Sequence, residues 1–168
     1  MKKVLCAVFV VLTCSLALAQ TDDSRLNAQL GEMKKYFLAG DYENFANYTY
    51  PKVIEMMGGK ARMVSATQQA MERMQSEGFT FVDLIFKDPT GYLEKDGELQ
   101  SSLTQQLTMN TPKGKIQSEY TLLAISSDKG QNWTFIDTSG KEKATMLRYF
   151  PNLHQDIVVK QKKQQFLD

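Results

Sequence analysis

The hydrophobic period of this chain changes once, at Gly78. Before it, apolar residues recur every three or four positions; after it, as far as Asp137, aromatic and β-branched residues recur every second position. Such a chain folds helices first and strands afterwards. Strands joined by short turns pair mostly antiparallel, and helices gathered at the N-terminus then lie across one face of the sheet. The expected class is α+β, with N-terminal helices packed on one face of a curved, mostly antiparallel sheet.

Residues 22–39 carry Leu26, Leu30, Met33, Phe37 and Leu38 on one helical face. Gly40 ends that helix, and Asp41 caps a short second one holding Tyr42, Phe45, Ala46 and Tyr48. Pro51 suits the first turn of a third segment, stopped by Gly58-Gly59. Lys60 to Glu77 then forms a longer helix whose Met63, Val64, Thr67, Met71 and Met74 share a face. Strands follow at Phe79–Phe86, Tyr92–Glu94, Glu98–Met109, Ile116–Ser126 and Trp133–Asp137. Asp96-Gly97 signals a two-residue hairpin, and Pro112-Lys113-Gly114 makes the next turn. A last helix runs through Met146, Leu147 and Phe150 to Pro151. The tail, residues 152–168, is polar around Ile157-Val158-Val159 and either adds an edge strand or lies loose.

The first 19 residues read as an export signal rather than as part of the fold. Lys2 and Lys3 precede the apolar run Val4–Leu12, and Ala17-Leu18-Ala19 offers small residues where a signal peptidase reads. Cleavage after Ala19 leaves Gln20 first and one domain over residues 20–151. Lipidation at Cys14 fits less well, because Thr13 is larger than the residue usually found before a lipoprotein cysteine. Both cysteines, Cys6 and Cys14, leave with the signal, so the mature chain holds no thiol and no disulfide. Such a protein is periplasmic or secreted. No later run reaches the ~18 apolar residues that a transmembrane helix needs.

The formal net charge is +1, which supplies no long-range field for nucleic acid or an anionic membrane. His154, the one histidine, sits in the polar tail without cysteine or histidine company, so neither a zinc site nor a histidine-based triad is expected. No phosphate loop, nucleophile elbow or EF-hand loop occurs, and no cofactor is expected. Lys160, Lys162 and Lys163 read as a solvated basic end.

The order of helices followed by a long-stranded, hairpin-connected sheet, together with Gly40-Asp41-Tyr42-Glu43-Asn44-Phe45 leading to Tyr50-Pro51, resembles the nuclear transport factor 2-like superfamily and in particular its small secreted bacterial members. The resemblance spans about residues 22–150 and implies a cystatin-like α+β roll with a conical cavity between helices and sheet. Members include isomerases, dehydratases, cyclases, adaptors and binding domains without activity, so the resemblance implies the fold more than the function. Its enzymes pair an aspartate with a tyrosine or histidine in the cavity; Tyr50 and Tyr120 are the candidate tyrosines here.

Residue alternation nominates two acids for such chemistry. Asp83 shares a strand face with Phe79, Phe81 and Ile85, and Asp137 shares one with Trp133 and Phe135; burial there raises a carboxyl pKa toward that of a working base. The sharpest local motif is Ser126-Ser127-Asp128-Lys129-Gly130-Gln131-Asn132-Trp133, which matches the S-x-D-x-G-x-x-W Asp-box hairpin. Asp128 accepts from turn N–H groups, Gly130 permits a positive φ, and Trp133 packs back over the turn. One copy in a chain of 168 residues makes a folding device, not a propeller. The methionines Met56, Met57, Met63, Met71 and Met74 read chiefly as core, and Tyr36, Tyr42, Tyr48 and Tyr50 as an amphipathic cluster.

These readings lead to an exported, non-catalytic domain binding a small apolar or amphipathic ligand or a protein partner. The alternatives are a cavity isomerase or lyase using Asp83 or Asp137 with a tyrosine, and an adaptor acting through the sheet. On the strand from Ile116, Leu123 and Ile125 make the second sheet face apolar as well, which predicts a homodimer through that face.

Overall fold

A computed structural model describes residues 16–167. Residues 1–15, with Lys2, Lys3, Cys6, Cys14 and the apolar run of the expected signal, lie outside the described residues. Five α-helices and six strands are present among the described residues: α1 (Leu16–Leu38), α2 (Tyr42–Phe45), α3 (Pro51–Met56), α4 (Lys60–Ser76), β1 (Thr80–Lys87), β2 (Leu93–Lys95), β3 (Glu98–Thr111), β4 (Gly114–Ser126), β5 (Thr134–Asp137), α5 (Lys143–Tyr149) and β6 (Lys163–Leu167). A 3₁₀ turn, Ala46–Tyr48, follows α2. The expected α+β class with a curved, open antiparallel sheet is what the chain adopts, and no helix among the described residues is long and apolar enough to cross a membrane.

The long hairpin β3–β4 is the spine of the sheet, paired from Leu99↔Ser126 to Thr111↔Gly114. β1 and β2 lie end to end along the free edge of β3, and β5 and β6 along the free edge of β4. Between Lys95 and Glu98 the turn residues Asp96 and Gly97 both take positive φ, 53° and 81°, the left-handed pair that a tight hairpin twist requires. At the N-terminal side, Asp41 accepts the Asn44 N–H at 3.1 Å, the cap that the sequence predicts.

Strand alternation divides the protein into two cores. On the inner face, Leu103, Leu122, Ala124 and Phe135 pack against Leu26, Leu30 and Met33 of α1, with Trp133 closing the end. On the outer face, Leu123, Ile125 and Ile136 pack against Met146 of α5, Phe150 just after it, and Leu153 and Ile157. This corrects two expectations. The residues after Pro151 are not merely a polar end, since Leu153 and Ile157 are fully buried. The outer face at Leu123 and Ile125 therefore needs no second copy and offers an adaptor no apolar surface there, because the chain's own C-terminal segment covers it.

Polar contacts hold that segment down. The buried Gln100 side chain donates to the Asn152 carbonyl at 2.9 Å and accepts the His154 N–H at 2.8 Å, and Lys95 Nζ donates to the carbonyls of Pro151 and Leu153. Farther on, β6 pairs with β4 from Glu119↔Lys163 to Lys115↔Leu167, so the tail adds the edge strand that was one of its two expected states.

Candidate functional site

Helix α4 buries only Met63, although its Met63, Thr67, Met71 and Met74 all point the same way. They look onto a cavity of about 490 Å³ that separates α4 from the sheet. Leu84, Leu107, Met109, Leu122 and Phe135 form its floor, with Met33, Phe37, Phe45 and Tyr48 along one side and Val53 and Met57 along another. Six methionines thus line it: Met33, Met57, Met63, Met71, Met74 and Met109. Their unbranched thioethers adapt to irregular apolar shapes, so the methionines expected to fill a core mostly wall an open space instead. Met56 is exposed.

The cavity has one polar corner. Gln105 and Tyr120 are direct partners across β3–β4, and Asp137 pairs with Leu122 two residues along. Gln105 Nε2 donates to Asp137 Oδ2 at 3.1 Å, and Tyr120 lines the same corner, near enough for the Asp137 charge to act on its phenol. Ser139, at a positive φ of 50°, turns its N–H onto Asp137 Oδ1 at 2.6 Å and its hydroxyl onto the same oxygen at 3.2 Å. Asp137 is an exposed residue, but what it faces is the cavity, and protein surrounds it. That enclosure pushes its carboxyl pKa up, against the lowering effect of Ser139, Gln105 and, more weakly, Lys141. Tyr120 is held above the usual phenol range by burial first and by the Asp137 charge second.

The rise at Asp137 has a sign that can be checked. Its folded pKa lies above its unfolded value, so the folded state holds the extra proton, and stability contributed by this group is present below about 3.8 and is lost as pH rises through the raised value. Asp137→Asn is expected to remove that loss. Urea unfolding from pH 4 to 8 should show the stability of the variant gaining on wild type as pH increases; a gap that stays constant contradicts the enclosure of the carboxylate.

The other nominated acid does not join the site. A β-bulge between Phe81 and Asp83 sets both Val82 and Asp83 against Thr108 and reverses the alternation beyond it. Phe81 and Leu84 consequently face the cavity, Ile85 is exposed, and Asp83 turns to Lys34 of α1, 2.7 Å away. The Lys34 hydrogen bond, with the Leu84 N–H, holds the Asp83 carboxyl below the usual range, opposite to the expected rise. Among the candidate tyrosines, Tyr120 is in the cavity and Tyr50 is not. Thr49 forms a parallel bridge with Phe135, which sends Thr49 to the cavity and Tyr50 to the outer core against Phe150. There its hydroxyl donates to Glu98 Oε1 at 3.2 Å and accepts from Asn152 Nδ2 at 2.7 Å. Gln105 and Ser139 were not singled out from the sequence. Alternation with Leu103 and Leu107 was the available signal for Gln105; Ser139 gave none.

The Asp-box turn has the geometry its spacing implies. Asp128 accepts from Ser126 Oγ at 2.8 Å and from the Asn132 N–H at 2.8 Å, while the Gly130 N–H, at φ 83°, donates to Ser126 Oγ at 2.8 Å. The indole of Trp133 donates to the Gly130 carbonyl at 3.1 Å and stacks on Tyr92 with ring centres 5.5 Å apart. Gln29 of α1 accepts the Trp133 N–H at 2.7 Å and donates to the Gln131 carbonyl, which ties the turn to the helix. All of these groups are used within the fold. Among the described residues no three His, Cys, Asp or Glu side chains are grouped so as to hold a metal ion. No protein-family model, no curated protein and no solved structure matches the chain.

Proposed function

We propose that the chain is an exported, non-catalytic binding domain of the nuclear transport factor 2-like type that takes a small amphipathic molecule between α4 and the sheet. The observation that carries this reading is the cavity itself: about 490 Å³, walled by adaptable methionines and aromatic rings, with a single polar corner at Tyr120, Asp137 and Gln105. An apolar body with one polar group matches such walls. A thermal-shift screen with neutral lipids, sterols and aromatic compounds tests it. A ligand at one hundred times its Kd should raise the Tm by roughly 5 °C or more. Leu107→Trp, which grows a floor residue into the open space, should keep the fold and abolish the shift. A shift that survives Leu107→Trp places binding elsewhere and overturns the reading.

A second reading, a cavity isomerase or lyase, is favoured by Tyr120 and Asp137 lining one corner, an acid and a phenol side by side in an apolar space. It predicts exchange of α-hydrogens of an enolisable ketone in D₂O, lost in Asp137→Asn; no exchange above buffer would remove it. Export rests on residues 1–19. Protein recovered from outside the cytoplasm is expected to begin at Gln20, whereas a lipidated chain beginning at Cys14 would contradict cleavage after Ala19.

A further inference from the structure

Among the described residues that line the cavity, Asp137 is the only acid or base besides tyrosine, and none is Lys, Arg or His. Its carboxylate is arranged as an anion. The Ser139 N–H and hydroxyl and the Gln105 amide all donate to it, and donors of this kind stabilise the charged form. Yet among the described residues it enters no ion pair, whereas the half-buried Asp83 and Glu119 are matched by Lys34 and Lys87 at 2.7 and 2.9 Å. Lys141 acts on it only weakly, from the exposed loop after β5. A charge enclosed by apolar walls without a counter-ion is electrostatically costly, and a cation brought to it in that setting gains more than it would in water. Phe135, two residues before Asp137 on the same strand face, adds a ring beside the same corner, and aromatic faces attract cations.

We infer, resting on the binding reading above, that the ligand is an amphipathic amine whose ammonium group seats against Asp137 while its apolar body lies among the methionines under α4. An anionic amphipath, such as a fatty acid, would bring a second negative charge to the carboxylate with no lining cation to receive it. A neutral alcohol would take a hydrogen bond and leave the charge unmatched.

Calorimetric titration of the protein with decylamine, decanol and decanoate, three probes with one apolar chain and different heads, separates the cases. Decylamine is expected to bind tighter than decanol by on the order of tenfold, the equivalent of one charge-assisted hydrogen bond, with decanoate weakest. In Asp137→Asn the preference for the amine should vanish while decanol affinity changes by less than about twofold. Decanol or decanoate binding as tightly as decylamine to wild type overturns the inference and leaves the binding reading standing. So does an amine preference that persists in Asp137→Asn. Failure of all three probes to bind overturns the binding reading itself. The ranking within the wild-type protein decides the question even where the variant does not fold.

Discussion

A chain ended at Pro151 is expected to lose its cooperative fold. Leu123 and Ile125 are almost wholly buried on the outer face of the sheet, and the residues that bury them include Leu153 and Ile157, themselves fully buried. Removing a buried leucine or isoleucine side chain costs about 2–5 kcal/mol, so losing both takes most of the ~5–15 kcal/mol by which a domain of this size is stable. The truncation also strands the buried amide of Gln100, which binds the Asn152 carbonyl and the His154 N–H. Far-UV circular dichroism and urea titration would show a broad or absent transition. Leu153→Ala gives the graded version, about 3 kcal/mol by the same reasoning. A midpoint unchanged in Leu153→Ala would mean that the C-terminal segment does not cover the sheet.

Trp133→Ala is the second large effect. The side chain is about 1% exposed, caps the inner core beside Leu103 and Leu122, and holds the turn through the Gly130 carbonyl. Cavity formation at a buried tryptophan costs about 3–5 kcal/mol. Trp133→Phe keeps much of the apolar contact and loses the indole hydrogen bond, so it should cost less, about 1–2 kcal/mol. The chain holds a single tryptophan, so the comparison is made by circular dichroism rather than intrinsic fluorescence. Equal losses in the two variants would show that ring volume is not what the site uses.

What could be read in the sequence was governed by how local its cause is. The Asp-box turn depends on eight consecutive residues, and its hydrogen bonds follow their spacing. Asp137 was legible because β5 is short and regular, so alternation with Phe135 carries it to the cavity. Asp83 was not, because a single bulge at Val82 reverses every side chain after it, and nothing in Phe81-Val82-Asp83 announces the extra residue. Tyr50 was misplaced for a related reason: one bridge, Thr49 to Phe135, determines on which side of the sheet it emerges. Leu153 and Ile157 stand apart in a polar stretch, and only the tertiary structure shows the apolar sheet face that they meet. The cavity was invisible for the opposite reason. Met63, Met71 and Met74 have the spacing of a core-facing helix, and spacing alone does not distinguish a face that meets side chains from one that meets space.

The proposed binding role depends on whether that space takes a ligand. Methyl NMR of the methionines reads it directly, because they stand both inside and outside the cavity. Saturating decanol is expected to move the signals of Met33, Met57, Met63, Met71, Met74 and Met109, and to leave Met56, exposed at the end of α3, and Met146, buried in the outer core, where they are. Shifts confined to Met56, or spread evenly over all eight, would contradict it.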